Sequence, residues 1–154
     1  MSTKITTILD TLRTKLAAAF PTRSEIPNPY SLIDNNENFL ENGIGVAIRQ
    51  GAQSGNVLFN NNIDARIFSI VFTNKIYRID SDSDPIKTIE KTLLEDQVTL
   101  RKLMLKNDQL SIDESIFKID YIGDSGINFI FDDDFSFLNL EINFTIESME
   151  GIWY

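Results

Sequence analysis

The sequence predicts an α+β domain: a mainly antiparallel or mixed sheet of four to five strands, with two helices packed on one face and a projecting hairpin. Three stretches predict it. Residues 64–73 are rich in β-branched and aromatic side chains, and Phe68, Ile70 and Phe72 alternate onto one face of a strand. From Pro85 onward, Ile86, Ile89, Leu93, Leu100, Leu103 and Met104 recur near helical spacing. About 22 residues at roughly 1.5 Å each make a rod of about 33 Å, long enough to cover one face of a sheet. Finally, Leu138, Leu140, Ile142, Phe144 and Ile146 alternate with Asn139, Glu141, Asn143, Thr145 and Glu147, the pattern of an antiparallel strand with one face in the core.

The other elements follow from local signals, and all 154 residues fit one domain. Ile5, Ile8, Leu9, Leu12 and Leu16 predict an amphipathic helix over residues 1–20, which Pro21 ends. Residues 21–42 carry three prolines and a polar Asn/Asp run and read as a long loop, ordered either by a neighbouring subunit or by the domain itself. Residues 43–50 read as a strand that a glycine- and asparagine-rich hairpin joins to residues 64–73, the hairpin strands together spanning 43–79. In that hairpin Val57-Leu58-Phe59 is a short strand extension or, preferably, an apolar contact point. Asp84 reads as the cap of the helix over 85–106, with Pro85 its first residue, where the missing N–H costs nothing.

The C-terminal strands cover residues 115–147. Phe117, Ile119 and Tyr121 alternate with Lys118 and Asp120, Gly123-Asp-Ser-Gly126 reads as a turn, and Ile127, Phe129 and Phe131 continue on a further strand. Asp132-Asp-Asp134 marks another reversal. Phe135 and Phe137 fall in the opposite phase to the last strand, which predicts a bulge or break near Phe137. Trp153 and Tyr154, at the end of the chain, either tuck back or dock on another subunit.

Composition narrows the chemistry. The formal charge of −9, from 23 acidic and 14 basic side chains, disfavours binding to a phosphate backbone. It suits solubility, or a channel through which DNA slides without sticking. The absence of histidine removes the commonest general base and imidazole metal ligands; the absence of cysteine removes thiolates and disulfides. No enzyme activity, cofactor or metal is expected. Gly43-x-Gly45 precedes a strand instead of opening a helix, so it does not make a phosphate loop. Asp80, Asp82 and Asp84 alternate as in a calcium loop, but Pro85 stands where the sharp-turn glycine belongs and Lys91 where the bidentate glutamate belongs. No run of apolar residues is long enough for a membrane span, and no secretory signal opens the chain.

The order helix, long loop, strand, glycine-rich hairpin, strand, long helix and C-terminal hairpin, ending in Leu138-Asn-Leu-Glu-Ile-Asn-Phe-Thr-Ile146, resembles the tail terminator, or tail completion, proteins of long-tailed bacteriophages. The resemblance covers most of the chain in element order and size, with no catalytic motif to match. It implies a virion protein of the tail or neck, made in the host cytoplasm, that forms a homo-oligomeric ring, usually a hexamer. Such a ring caps the finished tail tube, stops its polymerisation and meets the head–tail connector protein, with DNA passing through its lumen. The partners implied are therefore further copies of itself, the tail tube protein and the connector, with no sequence-specific nucleic-acid binding and no membrane. Phe39 in the long loop, Gln53, Val57, Leu58 and Phe59 on the hairpin, and Trp153 and Tyr154 at the end of the chain are the expected subunit or tail-tube contacts. A head–tail connector or neck protein of the same virion, or a small non-enzymatic adaptor domain, shares these outlines.

Overall fold

A computed structural model of the chain describes residues 4–32, 40–58, 61–76, 85–105, 116–131 and 136–151. The elements run α1 (Lys4–Ala19), β1 (Ser24–Glu25), β2 (Asn42–Leu58), β3 (Asn61–Lys75), α2 (Pro85–Leu105), β4 (Ile116–Asp124), β5 (Asn128–Phe131) and β6 (Ser136–Gly151). The α+β class is as expected, and the sheet is mixed. It has six strands instead of four to five, in the order β1-β2-β3-β6-β4, with β5 also on β6. β1 runs parallel to β2, and every other pair is antiparallel.

The extra strand is β1, Ser24–Glu25, two residues of the stretch read as loop; the expected turn at 123–126 is also corrected. Gly123-Asp-Ser-Gly126 does not reverse the chain, because β4 and β5 both run antiparallel to β6, one after the other along the same edge. The segment between them kinks instead, with positive φ at Gly123 (149°) and Gly126 (70°). Ser125 keeps the edge attached: its N–H donates to the Glu141 carbonyl at 2.9 Å, and its hydroxyl accepts from the Glu141 N–H at 3.0 Å.

Alternation divides the side chains between two faces. On one, Phe68, Ile70 and Phe72 of β3 stand opposite Phe144, Ile142 and Leu140 of β6, all within 1% of full burial. Both helices cover this face, α1 through Ile8, Leu12 and Leu16 and α2 through Leu93, Leu100 and Met104. Burying a side chain of this size contributes about 1.5–3 kcal/mol, so this layer dominates stability. Pro21 ends α1 and Pro85 opens α2, as their fixed φ and missing N–H dictate.

The other face has a smaller core of its own, made by Ile26, Leu32, Val71 and Phe137. Phe137 is fully buried there, and β6 passes it in unbroken register with both β3 and β5. No bulge or break is present at this point: the opposite phase of Phe137 places it on the opposite face. The described part of the 21–42 loop is what covers that face, so the domain itself orders this part of the loop. Gly43 and Gly45 let it approach. A Cβ on Gly43 would lie 2.2 Å from Thr73 Oγ1 and 2.9 Å from Ile26, and one on Gly45 would lie 3.0 Å from Pro29. Close packing, not phosphate binding, accounts for the Gly-x-Gly pair.

Between the two faces the chain rounds the β2 edge. Phe20, whose ring meets Phe72 edge-on at 5.3 Å, is on the helix side, and Ile26 is on the other. Arg23 sits at the crossing with a nearly buried side chain (2% exposed). It donates to Asp96 of α2 at 2.9 Å, to the carbonyls of Gly43 and Thr73 at 3.0 and 3.1 Å, and to Asn74 Oδ1 at 3.0 Å. Its guanidinium also lies 4.8 Å from the centre of the Phe72 ring. Burial lowers the Arg23 pKa, against which the hydrogen bond and charge of Asp96 act.

Candidate assembly interface

β2, β3 and β6 are 17, 15 and 16 residues long, roughly 50 Å each, whereas the 21-residue helix α2 reaches about 30 Å. The strands therefore outrun the helices. Among the described side chains, the last buried apolar positions toward this end are Phe68 on β3 and Ile146 on β6, with Ser148 also buried, and Ile48 of β2 packs against the same core. Beyond them the three strands stay paired: Gln53 opposite Ala65, Ser54 opposite Asp64, and Ala65 in turn opposite Glu147.

The expected projecting hairpin is thus a three-stranded arm, which β4 joins at Glu147 and Ser148. Its glycines do not form a turn. Gly51 and Gly55 lie inside β2, where the register shifts between Gln50 and Gln53 and between Ser54 and Val57, the places where a bulge bends a strand. Pairing with β3, which β6 backs on its other side, holds this segment extended, so Val57 and Leu58 are a strand extension and pair with Asn62 and Asn61. Of the expected contact residues, Gln53, Val57 and Leu58 come together along the arm. Phe39, Phe59, Trp153 and Tyr154 lie outside the described residues, as do Asp80, Asp82 and Asp84.

The outer edge of β2 is short of partners. β1 covers it only at Gly43 and Ile44, and the Tyr30 hydroxyl accepts from the Ile48 N–H at 3.1 Å. Tyr30 is held there by Arg49, whose guanidinium lies 5.8 Å from its ring and whose Nη2 donates to Glu141 at 2.6 Å. Past Ile48, among the described residues, no strand pairs with this edge.

On the far side of the sheet the outer edge of β4 and β5 is also without a strand among the described residues. Above it runs one flank of α2. Gln97 donates to Asp124, and the Arg101 guanidinium lies 4.1 Å from the Tyr121 ring, so this flank faces β4. Leu94, Val98 and Leu105 share the flank at helical spacing and are 45%, 46% and 45% exposed. Val98, Arg101, Lys102 and Leu105 line a shallow groove of about 610 Å³. Ile122 on β4 and Phe129 on β5 are exposed too. The sequence did carry this signal: Leu94, Val98 and Leu105 are apolar but lie off the Leu93, Leu100 and Met104 stripe that enters the core.

The polar chemistry on this side is structural. Asp124 accepts from the Gly126 N–H at 2.8 Å and from the Tyr121 hydroxyl at 2.9 Å. The Gly126 amide, more than any other group, holds the Asp124 carboxyl below the usual carboxylate range, while burial and the Asp124 hydrogen bond push the Tyr121 phenol up.

No family model matches this chain, and no curated protein is similar to it. What the chain can do therefore rests on its own geometry. Among the described residues, no three acidic side chains come together to hold a metal ion, and no helix is long and apolar enough to cross a membrane. The features that stand out are the arm, the two open edges on opposite sides of the sheet, and the apolar flank over one of them.

Proposed function

We propose that this chain is a structural subunit of the tail-terminator kind. Copies of it close into a ring in the virion, usually a hexamer in that class of protein, which caps a tail tube, stops its growth and presents a surface to the head's connector. The observation that carries this reading is the sheet with two different edges that, among the described residues, no strand fully pairs, and with strands longer than the helices. A ring needs a head-to-tail contact between two unlike patches, and these edges supply them. The paired ends of β2, β3 and β6 offer strand backbone to a neighbour or the tube. The charge of −9 suits a lumen that DNA passes without sticking.

The test is a polymerisation assay. Tail-tube protein of the same virion is assembled with and without the full chain, and tube lengths and ends are imaged by negative stain. The expected result is shorter tubes with ring density at one end. Tubes of unchanged length with bare ends overturn the reading.

A further inference from the structure

We infer that the open outer edge of β2 in one copy, over residues 50–58, adds as a strand to the outer edge of β4 and β5 in the next copy, under the exposed flank of its α2. The inference rests on the ring reading and names the contact that would close it.

Strand direction permits the pairing. The antiparallel ladders make β2 and β6 run one way and β3 and β4 the other. A second copy displaced sideways and slid along the strands within the plane of the sheet therefore brings residues 50–58 of its β2 alongside β4 and β5 in antiparallel sense, the more stable of the two ladders. Because the edges are on opposite sides of one sheet, the same step repeats from copy to copy.

Composition matches the two surfaces. Residues 50–58 are Gln-Gly-Ala-Gln-Ser-Gly-Asn-Val-Leu, with none of the Lys, Glu or Pro residues that guard exposed sheet edges. At the receiving edge, Leu94, Val98, Leu105 and Ile122 are about half exposed and form an apolar cover for an incoming strand. Charge agrees as well. The arm, residues 50–58, 61–65 and 147–151, carries Asp64, Glu147 and Glu150 and no basic residue, whereas the groove on α2 carries Arg101 and Lys102. In a chain this acidic, that pairing gives two copies a place to attract each other.

The chain has no cysteine, so introduced thiols report on the contact without background. Ile122→Cys and Phe129→Cys mark the receiving edge; Gln53→Cys and Ser54→Cys, consecutive residues of the strand, mark the entering one. Each full-length variant is oxidised alone and in mixtures of one receiving with one entering variant, after circular dichroism shows native folding. Disulfide-linked dimers in at least one mixture, and none from any single variant, are expected. Val98→Glu should then abolish the cross-link by placing an acid under the acidic arm. Dimers from a receiving variant alone would mean symmetric edge pairing and overturn the inference. Absence of mixed dimers from a protein that images as rings overturns the inference and leaves the ring reading standing. Absence of mixed dimers from a protein that neither forms rings nor caps tubes overturns both.

Discussion

The Arg23 guanidinium lies 2.8 Å from the Asp96 carboxylate and so ties the turn after α1 to the middle of α2. Removing it orphans three acceptors at once, the Gly43 and Thr73 carbonyls and Asn74 Oδ1. Breaking a buried ion pair from one side costs about 3–5 kcal/mol. Arg23→Met should lower the unfolding free energy in urea by that amount. Arg23→Lys should recover only a minor part, because one ammonium cannot reach acceptors spread around a planar fork.

Gly43 and Gly45 differ in how tightly the loop presses on them. Gly43→Ala drives a methyl into Thr73 Oγ1 and Ile26 and should cost about 1–3 kcal/mol, the range for overpacked cores. Gly45→Ala, whose nearest contact is 3.0 Å away, should cost less. Thermal melts of the two variants rank them.

Phe137 tests whether the face away from the helices is a true core. Phe137→Ala should destabilise by about 3–5 kcal/mol, as large as Phe144→Ala on the helix face. A loss under about 1 kcal/mol would be the result for a surface position. Equilibrium denaturation of both variants decides.

Asp124, held mainly by the Gly126 amide, and Tyr121, raised mainly by burial and then by its bond to Asp124, give stability a pH signature at both ends. Asp124 is depressed in the folded state, so its contribution is present above the unfolded carboxylate value and is lost as pH falls below about 4. Tyr121 is raised, so its contribution is present below the unfolded phenol value and is lost as pH climbs past about 10. Both effects are small at this exposed position. Asp124→Asn should remove the acid-side loss and weaken the alkaline one, measured as melting temperature against pH.

What could be read from the sequence was set by local physics. Pro21 and Pro85 mark the helix ends because a missing N–H acts at the residue itself. The alternation of Leu138 to Ile146 reads directly as a half-buried strand. Other features needed the fold. Gly123 and Gly126 permit either a reversal or a kink, and only the ladder to β6 decides between them. The glycines at 51 and 55 look like a turn until the ladder to β3 holds them extended. Phe137 was legible in phase, but its reason was hidden because the loop that covers it has no periodicity. Arg23 gave no signal at all, as a single charge in a loop is usually solvated. The apolar flank of α2 was legible but easily merged with the core stripe beside it.

The central claim is that the molecule works by self-association. Sedimentation velocity of the full chain, run over a wide concentration range, tests it most directly. The account predicts a discrete species of several copies that grows at the expense of the 17.6 kDa monomer and does not extend into larger polymers. A single 17.6 kDa boundary at every concentration would contradict it.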